Sequence, residues 1–140
     1  LALAVGTVLL LGSLSLLASA LAAWRTRAAE QHRRLQEDGL HSAAHWIVDR
    51  LATSHRCLLP LPSRNWQPSP CPADPAVLLA GTVAADQAAW SFRATRWEPG
   101  AGEALLALEA RGAEGTWRPG RFRVALDSAG AVSALRLEAP

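Results

Sequence analysis

Leu1–Ala23, LALAVGTVLLLGSLSLLASALAA, holds no charged residue, and its only polar side chains are Thr7, Ser13, Ser15 and Ser19. Arg25 closes it. As an α-helix rising about 1.5 Å per residue, the stretch would be roughly 35 Å long, enough to cross a bilayer core of about 30 Å. A helix that is apolar on every side needs lipid, a large protein core or copies of itself around it. The rest of a 140-residue chain is too short to build such a core. The segment is therefore expected to sit in lipid or to pack with its own copies.

Beyond Arg25 the composition changes while helical character continues. WRTRAAEQHRRLQEDGLHSAAHWIVDRLA has no proline and is rich in Ala, Leu, Glu, Gln and Arg, all good helix formers. Leu35, Leu40, Ala43, Ala44, Ile47, Val48 and Leu51 fall near helical spacing and mark one apolar stripe. Glu30 with Arg34 is an i,i+4 pair of the favourable order. Gly39 reads as a bend, costing about 1 kcal/mol relative to Ala. The spacing predicts one helix from Leu1 to about Thr53, apolar all round and then amphipathic.

CLLPLPSRNWQPSPCPADP follows, with prolines at 60, 62, 68, 70, 72 and 75. So many prolines exclude a helix or a central strand and predict an extended surface loop, packed down by Trp66. Cys57 and Cys71 flank it. In an exported domain they read as one disulfide worth about 3 kcal/mol, and in a cytosolic chain as two free thiols. AVLLAGTVAA fits a short strand or a turn of helix equally well.

The last third reads as a meander. Ala89–Trp97 alternates, with Trp90, Phe92 and Ala94 on one side and Ser91, Arg93 and Thr95 on the other. Glu103–Ala110 places Ala104, Leu106 and Leu108 inward, and Arg121–Leu126 sets Phe122, Val124 and Leu126 against Arg121, Arg123 and Ala125. Val132–Leu137 presents Leu135 and Leu137. The turns are EPGAG, RGAEG and DSAG. Four short strands at this spacing imply an antiparallel sheet with one buried and one wet face. The amphipathic half of the helix is its natural cover, which makes the fold class α+β.

Formal charge is +2, too near balance to imply a nucleic-acid partner by itself. No catalytic constellation stands out, and no cofactor or small-molecule substrate is expected. His41 and His45 form an i,i+4 pair with Glu37 one turn earlier, but the H-E-x-x-H arrangement is absent, so they read as polar residues on a helix edge. Ser54 and His55 have no acid in register for a triad. A zinc site from His55, Cys57 and Cys71 lacks a fourth ligand at any usual spacing. Arg93, Arg96, Arg118, Arg121, Arg123 and Arg136 gather in the strand region, with Trp97 and Trp117 nearby. Arginine interleaved with aromatics can hold nucleic acid or another acidic partner. The plainer reading is a solvated sheet face whose charges guard the edges.

In architecture the whole chain resembles the type IV pilin superfamily: pilins, minor pilins and the pseudopilins of type II secretion. The resemblance rests on the uncharged helix running into an amphipathic half, the loop with its cysteine pair, and the four-strand sheet. It implies a subunit that acts by assembly, with other pilin or pseudopilin subunits as partners through the N-terminal helix. It places the protein in the bacterial inner membrane with a periplasmic C-terminal domain, and then in a cell-surface or periplasmic filament. There is no Met in the sequence. The resemblance implies that a dedicated peptidase removes a basic leader, leaving Leu1 as the first, N-methylated residue. Such a leader would offset Arg25, Arg27, Arg33 and Arg34, which alone argue for a cytoplasmic C-terminal side.

Two departures refine this. Most family members carry a glutamate where Val5 stands, and it neutralises a neighbouring subunit's N-terminal amine. Many major pilins have a proline at the place of Ala22. A side chain such as valine cannot offset a buried ammonium, so the expectation is a minor subunit, at or near the tip. Leu1, Val5, Gly6 and Gly12 are the assembly-helix residues, although the glycines lack G-x-x-x-G spacing. The expected organisation is 1–24 membrane or filament-core helix, 25–54 amphipathic helix, 55–76 Pro-rich loop and 77–140 sheet, the sheet forming one globular domain with 25–54. The alternatives are a single-span anchored periplasmic or extracellular binding module, a DNA-binding minor pilin, and a secreted domain cleaved after Ala20 or Ala22.

Overall fold

In the computed structural model, residues 2–129 and 131–138 are described, with side chains from residue 12 onward. The chain is α+β. Helix α1 spans Ala2–Ala52, and 3-10 turns follow at Arg56–Leu58 and Ser63–Asn65. A single helical turn, α2 (Ala76–Leu79), leads into strands β1 (Ala80–Ala85), β2 (Ala88–Pro99), β3 (Glu103–Arg111), β4 (Arg118–Leu126) and β5 (Val132–Leu137). The strands pair antiparallel in the order β1-β2-β3-β4-β5, a plain meander. The sheet thus has five strands where the sequence pattern predicts four. The extra one is β1, and AVLLAGTVAA resolves into a helical turn followed by a strand.

The chain forms two compact units, residues 1–35 and 36–140. In the second unit the helix buries Leu40, Ala43, Ala44, Ile47, Val48 and Leu51 against the sheet's Trp90, Phe92, Leu106, Leu108, Phe122 and Val124. Leu35, the first residue of the expected stripe, is exposed. Packing therefore starts about one turn later than the apolar pattern suggests.

Gly39 is a place of close approach. A Cβ there would lie 2.4–2.7 Å from atoms of the Trp90 indole. Gly120 on β4 does the same for Leu40, where a Cβ would come within 3.1 Å of Cδ2. The missing side chains bring helix and sheet together. His41 then sets its edge against Phe122, centroids 5.3 Å apart, and Trp46 meets Phe92 at 5.3 Å.

In β2 the register slips between Ala94 and Arg96. The extra residue, Thr95, is a β-bulge, and it changes which parity faces the core. Trp90 and Phe92 point inward before it, and Trp97 points inward after it. Arg93 and Arg96, which share no parity, consequently both remain outside.

Candidate functional site

In the first unit, residues 12–35 bury no side chain. Leu14, Leu16, Leu17, Leu21 and Trp24 are all more than half exposed. At about 100° per residue these leucines point in widely different directions, so the apolar surface surrounds the helix. Two hydroxyls fold back on the helix: Ser19 donates to the Leu16 carbonyl at 2.9 Å and Thr26 to the Ala22 carbonyl at 2.8 Å. Such bonds satisfy each hydroxyl's donor within the helix. Among the described residues no helix is long and apolar enough to cross a membrane. The side chains of residues 1–11, the first part of the apolar run, lie outside that description. Leu1 lies outside the described residues altogether, and Val5 and Gly6 are described only as backbone within α1. Nothing lies within 4 Å of where a Cβ on Gly12 would be.

In the second unit the Pro-rich loop is fastened at several points. Cys57 and Cys71 form a disulfide with Cα atoms 5.9 Å apart. The zinc idea thereby loses its thiolates. His55, 3% exposed, donates from Nε2–H to the Asp74 carbonyl at 3.1 Å, and its Nδ1 meets the Ser54 hydroxyl at 2.8 Å. With one ring nitrogen held by a backbone carbonyl and the ring buried, His55 ties the end of α1 to the end of the loop. Trp66 is buried and donates to the Leu61 carbonyl at 3.0 Å. Trp97 reaches across from β2: its indole N–H donates to the Leu59 carbonyl at 3.0 Å, and its backbone N–H to Ser63 Oγ at 3.0 Å. The loop is tied to the domain at both ends and in its middle.

The outer sheet face carries the predicted arginines, yet much of its charge is neutralised locally. Arg93 pairs with Glu109, Arg96 with Glu98 at 2.8 Å, and Arg123 with both Glu103 and Glu138. The Glu138 carboxylate, and then that of Glu103, raise the Arg123 guanidinium above its ordinary value. Arg118 and Arg121 make no ion pair among the described residues. Two guanidinium groups lie over the Trp117 ring, Arg93 at 4.5 Å and Arg111 at 4.7 Å from its centroid. Trp97, expected beside the arginines, is instead on the opposite face and 1% exposed. A basic patch with interleaved aromatics is thus reduced to one half-buried tryptophan already stacked by the protein's own arginines. The arrangement suits a solvated face with internal charge pairing better than a nucleic-acid channel.

His41 and His45 stand one turn apart, ring centroids 6.5 Å from each other. Among the described residues no group of three or more His, Cys, Asp and Glu side chains is placed to hold a metal. Comparison with protein-family models, curated proteins and solved structures finds no match.

Proposed function

We propose that the chain is a minor pilin or pseudopilin subunit of a type IV pilus or type II secretion-like filament, standing at or near the tip and acting by assembly. One observation carries the reading. The helix that packs its C-terminal turns on an antiparallel sheet has turns at 12–24 that expose leucine in several directions and bury nothing. Large apolar surface left without a partner marks a surface meant for lipid or for other chains. An anchor before assembly and a packing element afterwards is a use that serves both. The disulfide-pinned loop supports it as a tied-down, partner-facing relief. Val5 supports a terminal position, since a valine cannot neutralise a neighbour's ammonium.

The test is intact mass with N-terminal peptide mapping of the protein from its native membrane, alongside fractionation of sheared filaments. The reading expects a chain beginning at Leu1 with one extra methyl, and protein in the sheared fraction. A chain beginning near Trp24 would mean a secreted domain. A protein that stays in the membrane under shear, with its leader retained, would be a binding module on a simple anchor.

A further inference from the structure

Residues just past the apolar run differ from those one turn on. Trp24 is 76% exposed and touches no other ring or cation described. Arg25 and Arg27 make no ion pair or hydrogen bond among the described residues. Arg33 and Arg34, by contrast, both bond Glu30, each at 3.2 Å. The guanidinium groups nearest the apolar run are thus free, and the next two share a carboxylate.

The angular placement narrows the use. At about 100° per residue, Trp24, Arg25 and Arg27 fall near 0°, 100° and 300° around the axis. The two guanidinium groups thus stand about 160° apart, with Trp24 on the arc between them, so the charge is not gathered on one narrow face. A helix lying flat in a membrane surface needs its polar and apolar residues on opposite faces. Here the exposed leucines point in several directions, the two arginines lie on nearly opposite sides, and the apolar and cationic residues are separated along the axis, which suits a helix that passes through the interface. Tryptophan sits well where an apolar ring and a polar N–H meet headgroup and water. Free guanidinium groups match phosphate oxygens with paired N–H donors.

We infer that Trp24, Arg25 and Arg27 form an interfacial collar that binds anionic phospholipid headgroups and sets how deep the helix sits before assembly. This rests on the membrane-anchored stage of the reading above. The described apolar turns, 12–23, are about 18 Å of helix, so a full crossing also draws on the preceding residues of the run. Glu30 closes the collar on the water side: beyond it the arginines have a carboxylate of their own and no need of phosphate.

The experiment uses the full chain reconstituted into phosphatidylcholine vesicles with and without phosphatidylglycerol. Lipids brominated near the headgroup, or near the acyl-chain ends, quench tryptophan by depth. The expected result is a quenching component that favours the shallow bromines in wild type and disappears in Trp24→Phe. Anionic lipid should also shift the Trp24 emission, and Arg25→Gln with Arg27→Gln should abolish that shift. Protein that floats with the vesicles while Trp24 is quenched only by deep bromines, or only by aqueous acrylamide, overturns the collar and leaves the anchor standing. An emission identical in the two vesicle types overturns headgroup binding. Protein that does not float with either vesicle overturns the anchor, and the collar with it.

Discussion

A methyl group at position 39 would sit 2.4 Å from the Trp90 ring, and this contact overrules the ordinary arithmetic of helices. On propensity alone Gly39→Ala should stabilise by about 1 kcal/mol. Against an indole held between helix and sheet, the added carbon instead forces a shift that costs about 1–3 kcal/mol. The expected net effect is destabilisation, read as a lower urea midpoint. A second substitution, Trp90→Leu, should remove most of that penalty, so an equal cost in both backgrounds would refute the contact as its cause. Glu30 provides the other residue-scale outcome. A hydrogen bond from Arg34, and then the charge of Arg33, hold its carboxyl below the ordinary glutamate value. A lowered folded-state value means that the pairing supports the helix at pH above the unfolded glutamate's value and is lost as pH falls through the lower, folded one. The side-chain carboxyl carbon followed by NMR should titrate below a normal glutamate, and Arg34→Gln should move it back up. The contribution to stability is small, because these groups are solvated.

At the scale of elements, the β1–β2 hairpin explains why one strand is hard to read from sequence. Ala85 pairs with Ala88, so Asp86 and Gln87 alone make the turn, at φ of 48° and 62°. Both central residues at positive φ define a type I′ turn, whose usual signature is Asn-Gly or Asp-Gly. Asp-Gln hides it. Asp86→Asn with Gln87→Gly is expected to raise stability by about 0.5–1 kcal/mol, the relief of left-handed strain less the entropy that glycine adds to the unfolded chain. An unchanged thermal midpoint would count against strain at this turn. The remaining strands announce themselves by strict alternation between Gly-rich turns, and the helix by its apolar run and stripe. The bulge at Thr95 breaks that alternation without changing composition, which is why Trp97 reads as neighbouring the arginines and is found in the core. The charge pairing of the outer face is equally hidden, since Arg93 and Glu109 lie on neighbouring strands sixteen residues apart. The cysteine loop and its packing by Trp66 are legible in the sequence, but the bonds from His55 and Trp97 are not. Replacing Cys57 and Cys71 by serine should cost about 3 kcal/mol through the freed unfolded chain. The His55, Trp66 and Trp97 bonds should still hold the native loop, leaving the near-UV circular dichroism of the folded protein unchanged. Loss of that signal before global unfolding would show the disulfide alone holds the loop.

For the whole molecule, the question is how much of α1 the folded domain requires. Every buried apolar side chain described lies at or beyond Leu40, and residues 12–35 bury none. Stability comes mainly from apolar surface removed from water, and the described side chains of residues 12–35 bury none of it. A chain beginning at Gln36 keeps Gly39 against Trp90, Leu40 against Gly120 and the whole of the disulfide loop. It loses helical hydrogen bonds upstream, and fraying of the new first turn should cost about 1 kcal/mol or less. The expected outcome is a monomer that unfolds in one cooperative step, with a urea midpoint close to that of the full chain in detergent. A chain cut instead at Ala44 removes Gly39, Leu40 and Ala43 from the interface and should fail to fold cooperatively, because the exposed Trp90 and Phe122 faces have no other cover. If the Gln36 chain were itself molten, residues 1–35 would be part of the folding unit. The division between an element that meets lipid or other chains and a domain that folds without it would then fall.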